Sequence, residues 1–148
     1  MKIVSLLFAA ALAPALFAAA PTLKPGQYEV VAEMSMTGPP VRMPAQKLLH
    51  CYTPQELEDL AATIAGRSAT EKCKVLSSKL TGSTLTFATA CAYADGSTLT
   101  TSGEVTFTSQ ESYRAVVNLK QRGERAMDSI LDGSTIVSTA KRIGECAK

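Results

Sequence analysis

Tryptophan is absent from this chain, histidine occurs once, and aromatic residues fill only 5% of its 148 positions. Beyond residue 20 the aromatics reduce to Tyr28, Tyr52, Phe87, Tyr93, Phe107 and Tyr113. So few rings exclude a stacking platform for bases or sugars. An excess of one charge is missing too. Removing Lys2 leaves 15 − 1 = 14 basic against 13 acidic residues, a formal +1. That balance leaves no footprint for nucleic acid or for a strongly anionic membrane. After residue 20 no apolar run approaches the ~20 residues that span a bilayer.

Metal and catalytic patterns are equally scarce. No two cysteines lie two to four residues apart, and His50 adjoins Cys51, which is poor spacing for zinc. A Ser-His-Asp hydrolase would have to use His50, yet no G-x-S-x-G elbow and no glycine-rich phosphate loop occurs. Adjacent strand residues point to opposite faces, so His50 and Cys51 do not form a thiol–imidazole pair. Glu56, Glu58 and Asp59 begin a predicted helix, where the helix dipole alone favours acids. The expectation is no catalytic residue, no enzyme and no cofactor.

What is present begins with an address. Met1-Lys2 is a short basic start, Ile3 to Phe17 is apolar apart from Ser5 and Pro14, and Ala18-Ala19-Ala20 offers a small-residue cleavage zone. This three-part pattern is that of a secretory signal. Of its 20 residues 17 are hydrophobic, and the run dissolves into alanines rather than ending in the polar flanks of an anchor. Cleavage after Ala20 would place Pro21 first, so the scissile bond is set only within a few residues. The reading is a cleaved signal over 1–20, one domain over 21–148, export to the periplasm, and no membrane insertion after cleavage.

The four cysteines, Cys51, Cys73, Cys91 and Cys146, are an even set that suits two disulfides in an oxidising compartment. Three pairings are possible, and the predicted strands favour two bonds, Cys73–Cys91 and Cys51–Cys146. Cys73 and Cys91 bracket one hairpin that turns near Gly82. A three-residue turn there sets the two cysteines opposite each other. A two-residue Gly82-Ser83 turn matches the apolar faces better but offsets the cysteines by one, which a β-bulge would absorb. Cys51 and Cys146 then remain, as expected if the sheet closes on itself.

Periodicity gives the fold class. Gln27 to Met36 alternates, with Tyr28, Val30, Ala32, Met34 and Met36 on one face, and a second strand covers Gln46 to Tyr52. Thr53-Pro54-Gln55-Glu56 then combines an N-cap, a first-turn proline and a capping-box acid. Leu57, Leu60, Ala61 and Ile64 follow at helical spacing, so one short helix is predicted near 54–65, closed by Gly66. From Cys73 onward short strands recur. Asp95-Gly96 predicts a type I′ turn, Gly103 a bend or bulge, and the stretch 124–131 a strand. The chain is predicted to be mainly β, a single antiparallel meander of about seven or eight strands curled or closed into a barrel.

Sulfur is the one chemical feature above background. Met34 and Met36 share a predicted strand face, Met43 lies in the next loop, and thioethers suit cuprous copper. Core filling is the competing and favoured use of the same side chains.

Several segments together resemble a family of small exported bacterial proteins catalogued as domain of unknown function 3617. Leu23-Lys24-Pro25-Gly26-Gln27-Tyr28-Glu29-Val30 is similar to that family's opening L-K-P-G-x-W-E-V, with Tyr28 where tryptophan is usual. Met34 to Gly38, Cys51-Tyr52-Thr53-Pro54, Cys73-Lys74-Val75, Gly82, Cys91 and Gly103-Glu104-Val105 continue the likeness. Lys141-Arg142-Ile143-Gly144-Glu145-Cys146 is similar to its closing R-I-G-x-C. The resemblance implies an exported, disulfide-containing β domain and brings no activity with it. The leading expectation is a non-enzymatic module binding a small apolar ligand or an envelope protein. The alternatives are copper buffering through Met34, Met36 and Met43, and an inhibitor or chaperone-like module acting through the loop 37–44.

Overall fold

The computed structural model describes residues 22–36, 43–64, 72–123 and 132–147. Its strands are β1 (Gly26–Ser35), β2 (Gln46–Tyr52), β3 (Lys72–Thr81), β4 (Thr84–Ala92), β5 (Thr98–Ser109), β6 (Ser112–Arg122) and β7 (Thr135–Gly144). Two short helices, α1 (Pro54–Glu58) and α2 (Leu60–Ile64), separate β2 from β3. The predicted strand at 124–131 and the helix stop at Gly66 lie outside the described residues.

All seven strands join one antiparallel sheet in the order β2-β1-β7-β6-β5-β4-β3. The expected closure into a barrel does not occur, and the sheet is open and not strongly curled. Nor is it a simple meander. β3 to β7 run consecutively, and then β1 and β2 continue the sheet beyond β7. Counting directions through the antiparallel pairs makes β2 and β3 run the same way. Strands that run alike need a long crossover between them, and the 72 − 52 − 1 = 19 intervening residues carry the helices. The pairing that closure required is thus replaced by a helical segment laid over one face.

That face holds the core. Period-two alternation turns Tyr28 and Val30 of β1, Phe87 of β4, Val105 and Phe107 of β5, and Tyr113, Ala115 and Val117 of β6 inward. Leu60 of α2 joins them, with Leu57 and Ile64 packed alongside. Burying one Leu or Phe contributes about 1.5–3 kcal/mol, so this single apolar layer is the main source of stability. Tyr28 is fully buried, and its hydroxyl donates to the Lys24 carbonyl at 2.8 Å.

Turn chemistry follows glycine. Thr81 pairs with Thr84 across Gly82-Ser83, and only Gly82 has positive φ (+58°), the pattern of a type II′ turn. The predicted type I′ turn at Asp95-Gly96 is not formed. Asp95 lacks the positive φ that turn requires, and a longer loop closes through Gly96 N–H to Tyr93 O and Tyr93 N–H to Ser97 O. Asp95 instead accepts from the Ser97 backbone and hydroxyl, the usual use of Asp in a turn.

Gly103 is neither bulged nor out of register, pairing with Phe87 on one side and Val117 on the other. A Cβ there would collide with the Val116 carbonyl oxygen, so close backbone approach explains the glycine. The bulges fall elsewhere. Register shifts occur between Val75 and Ser77, between Gln27 and Tyr28 against β7, and between Phe107 and Ser109.

The shift near Val75 lets a two-residue turn pair Leu80 with Leu85 and still set Cys73 opposite Cys91. Cys73 is bonded to Cys91 with a Cα separation of 3.9 Å, and Cys51 to Cys146 with one of 5.5 Å. The second bond does not close the sheet. It links β2 to the residues just after β7, with β1 lying between those two strands.

Candidate functional site

The helical segment is anchored where β2 ends. Thr53 caps α1 by accepting from the Glu56 backbone N–H, while Glu56 Oε2 accepts from the Thr53 N–H at 2.8 Å. The Thr53 N–H is the main reason the Glu56 carboxyl lies below its ordinary pKa. Partial burial opposes this, and the Thr53 hydroxyl and His50 add to it. The other carboxylate oxygen, Oε1, lies 3.4 Å from His50 Nε2, an ion-pair distance when the ring is protonated. The capping box therefore fixes the helix start directly after strand β2.

The predicted single helix is interrupted at Asp59, whose backbone (φ −126°, ψ 59°) leaves the helical region. The Glu56 carbonyl then takes a bond from the Thr63 hydroxyl at 2.9 Å, which satisfies an acceptor the break would otherwise strand. The interruption also changes the setting of the acids. Only Glu56 belongs to the first turn of α1, whereas Glu58 ends that helix and Asp59 follows it.

Lying across the inner face, the helices leave a cavity on each side. One, of about 270 Å³, lies between α2 and strands β1, β2, β5, β6 and β7. Its walls are aliphatic, with Val30, Leu48, Ile64, Leu99, Val117 and Ile136 among them. A few polar groups converge within it. The Tyr52 and Tyr113 hydroxyls share a 2.6 Å hydrogen bond, Tyr52 meets Tyr28 and His50 edge-on, and Thr101 is buried in the wall. Burial is the main cause that raises the pKa of both Tyr52 and Tyr113, so both phenols stay neutral at physiological pH. No Asp, Glu, Lys or Arg lines this cavity among the described residues.

The second cavity, of about 470 Å³, opens between the α1–α2 junction, the β3–β4 hairpin and residues 22–25. Leu23, Leu60, Leu85 and Phe107 form its buried walls, and Glu58 and Asp59 stand exposed at its edge.

The sequence-predicted sulfur residues come only partly together. Met34 and Met43 line one depression of about 400 Å³ beside Glu33 and Val137, and Met43 N–H donates to Met34 O at 3.2 Å. Met36 is not among the residues lining it. Of the loop 37–44, only Met43 and Pro44 fall within the described residues. Among those residues no three of His, Cys, Asp and Glu gather as a metal site, and no helix is long and apolar enough to cross a membrane.

Sequence reasoning missed the Tyr52–Tyr113 pair and both cavities. The spacing that could have shown them is the shared inward phase of Tyr52 and Tyr113. It becomes informative only once β2 and β6 are known to lie in one sheet on either side of β1 and β7.

The sequence model of a family described as "Protein of unknown function (DUF3617)" matches residues 23–146 of this chain. No curated protein and no solved structure matches it.

Proposed function

We propose that this chain, which belongs to the DUF3617 family, is an exported, non-enzymatic module that binds a small, neutral, largely apolar molecule under α2. The observation that carries this reading is the 270 Å³ cavity, apolar at its walls with a few polar groups converging inside. Such a combination is the usual signature of a small-molecule site, here near the lower end of the common size range. Neutrality follows from the lining. A charged ligand would lose hydration and meet no Asp, Glu, Lys or Arg among the described lining residues, whereas a hydroxyl or carbonyl could exchange bonds with Tyr52, Tyr113 or His50. Two disulfides are consistent with an oxidising compartment, and the leader-like residues 1–20 support the periplasm as the destination.

Native mass spectrometry of the protein taken gently from a periplasmic extract tests the reading. The expected spectrum shows a chain lacking its leader and carrying a neutral small molecule. Ala32→Phe, which fills the cavity from β1, should release that molecule while the fold persists. A ligand-free chain that also ignores a panel of neutral apolar probes overturns the proposal.

A second reading, copper buffering, is favoured by the meeting of Met34 and Met43 around one depression. It predicts a copper adduct in the same spectrum that Met34→Leu with Met43→Leu abolishes.

A further inference from the structure

The neutral cavity under α2 has a shape as well as a polarity, and strand register defines it. Val30 pairs with Leu48 and with Ala140, and Ala140 pairs with Tyr113, so Leu48, Val30 and Tyr113 share one row of the sheet. Leu119 pairs with Thr101 three inward rows farther along, and Leu99 lies one row beyond. All of these except Ala140 line the cavity. Tyr113 and Leu119 stand six positions apart on β6, about 20 Å at ~3.4 Å per residue. Three strands separate β2 from β5, which adds roughly 19 Å across the sheet at ~4.8 Å per step. The cavity is thus a slot running diagonally from the β2 edge toward β5.

Its 270 Å³ holds only about nine groups the size of a water molecule, at ~30 Å³ each. Spread over ~20 Å, nine such groups stand in single file. We infer that the slot takes one unbranched alkyl chain of about eight to ten carbons with a neutral polar head, such as a linear alcohol or ester. The inference rests on the small-molecule site proposed above and narrows its ligand. The walls give the chain a direction. The Tyr52 and Tyr113 hydroxyls and the half-buried His50 gather at the β2 end, where Leu48, 46% exposed, borders the opening. Midway, Ala32 pairs with Ser138, and these small side chains leave clearance over the sheet. The Ile136–Val117 pair follows, and then Leu99 and Leu119 with the Thr101 hydroxyl beside them. The head therefore sits by the tyrosines and the methyl end by Leu99 and Leu119. A compact ring with as many atoms needs a width that the slot lacks.

Isothermal titration of the full mature protein with linear hexanol, octanol, decanol and dodecanol, each below its solubility limit, tests this beside menthol. Menthol is a branched ring with as many heavy atoms as decanol. Each added methylene should tighten binding about fourfold until the slot is full. Dodecanol should then bind no more tightly than decanol, and menthol about tenfold more weakly, because overfilling a packed wall strains it. Leu99→Trp, at a half-buried position, shortens the β5 end, so the gain should stop at a shorter chain while hexanol binds as before. Leu119→Phe, a milder change at the same end, should move the stopping length less. Menthol binding as tightly as decanol overturns the inference and leaves the small-molecule site standing. So does a gain that continues unbroken through dodecanol, or a stopping length that neither variant moves. Absence of binding for every probe overturns the inference together with the site.

Discussion

The two edges of the sheet are secured in different ways. At the β3 edge, Cys73–Cys91 joins the outermost strand to its immediate neighbour, spanning 18 positions of sequence. It lies on the inner face, where Cys91 is buried. At the β2 edge, Cys51–Cys146 spans 95 positions and reaches past β1 to the end of β7. Cys51 lies between His50 and Tyr52, which face the cavity, so the alternation of the strand places it on the outer face. One bond reinforces a hairpin that local sequence already forms. The other holds together strands from opposite ends of the chain. Open edges expose unpaired backbone groups, and this domain fixes both by covalent bonds instead of closing the sheet.

The largest expected effect tests that contrast directly. Replacing Cys51 and Cys146 together by Ala should lower the unfolding free energy by up to about 4–5 kcal/mol, since its long loop removes most entropy from the unfolded chain. Replacing Cys73 and Cys91 together should cost about 3 kcal/mol, the value for a short loop. Urea unfolding of both double variants checks the order, and a greater loss from the hairpin pair would reverse the comparison.

A smaller effect sharpens it at the β2 edge, where Tyr52 ends the strand. Tyr113→Phe leaves the buried Tyr52 hydroxyl without its partner and should cost about 1–3 kcal/mol. Tyr52→Phe with Tyr113→Phe should cost less than the sum of the two single changes, because no orphaned hydroxyl remains. A double-mutant cycle measures the coupling.

The helix that follows β2 depends on its cap. Thr53→Ala should cost about 1 kcal/mol by thermal unfolding. Glu56 adds a pH signature. Its folded pKa is lowered from 4.5, so its contribution is complete above that value and is lost as pH falls through the lower folded one. Glu56→Gln should flatten stability against pH on the acid side and leave the neutral-pH slope unchanged.

Much of this fold was legible along the chain. Strand β2 matches its predicted bounds, and the Thr53–Glu56 capping box forms as read, because capping is settled within four residues. The Cys73–Cys91 hairpin was legible too, including the need for a bulge. The Asp95-Gly96 turn was misread because the dipeptide fits several turns, and the length of the loop decides among them. Gly103 reads as a bend or bulge, but its cause is a neighbouring strand's carbonyl that no local pattern reveals.

Alternation and capping determined by themselves that this protein is a β domain with an early helix, since period-two burial and cap chemistry act over a few residues. Only the tertiary structure decided that the sheet stays open. The pairings across the sheet leave β2 and β3 at opposite edges running the same way, and the crossover between them passes over one face instead of forming a hairpin. The same crossover lays α1 and α2 over the inner face, where Tyr52 meets Tyr113 and the neutral cavity is parted from the acid-edged one. Those meetings join residues tens of positions apart, so their geometry arises only when the strands take their places in the sheet.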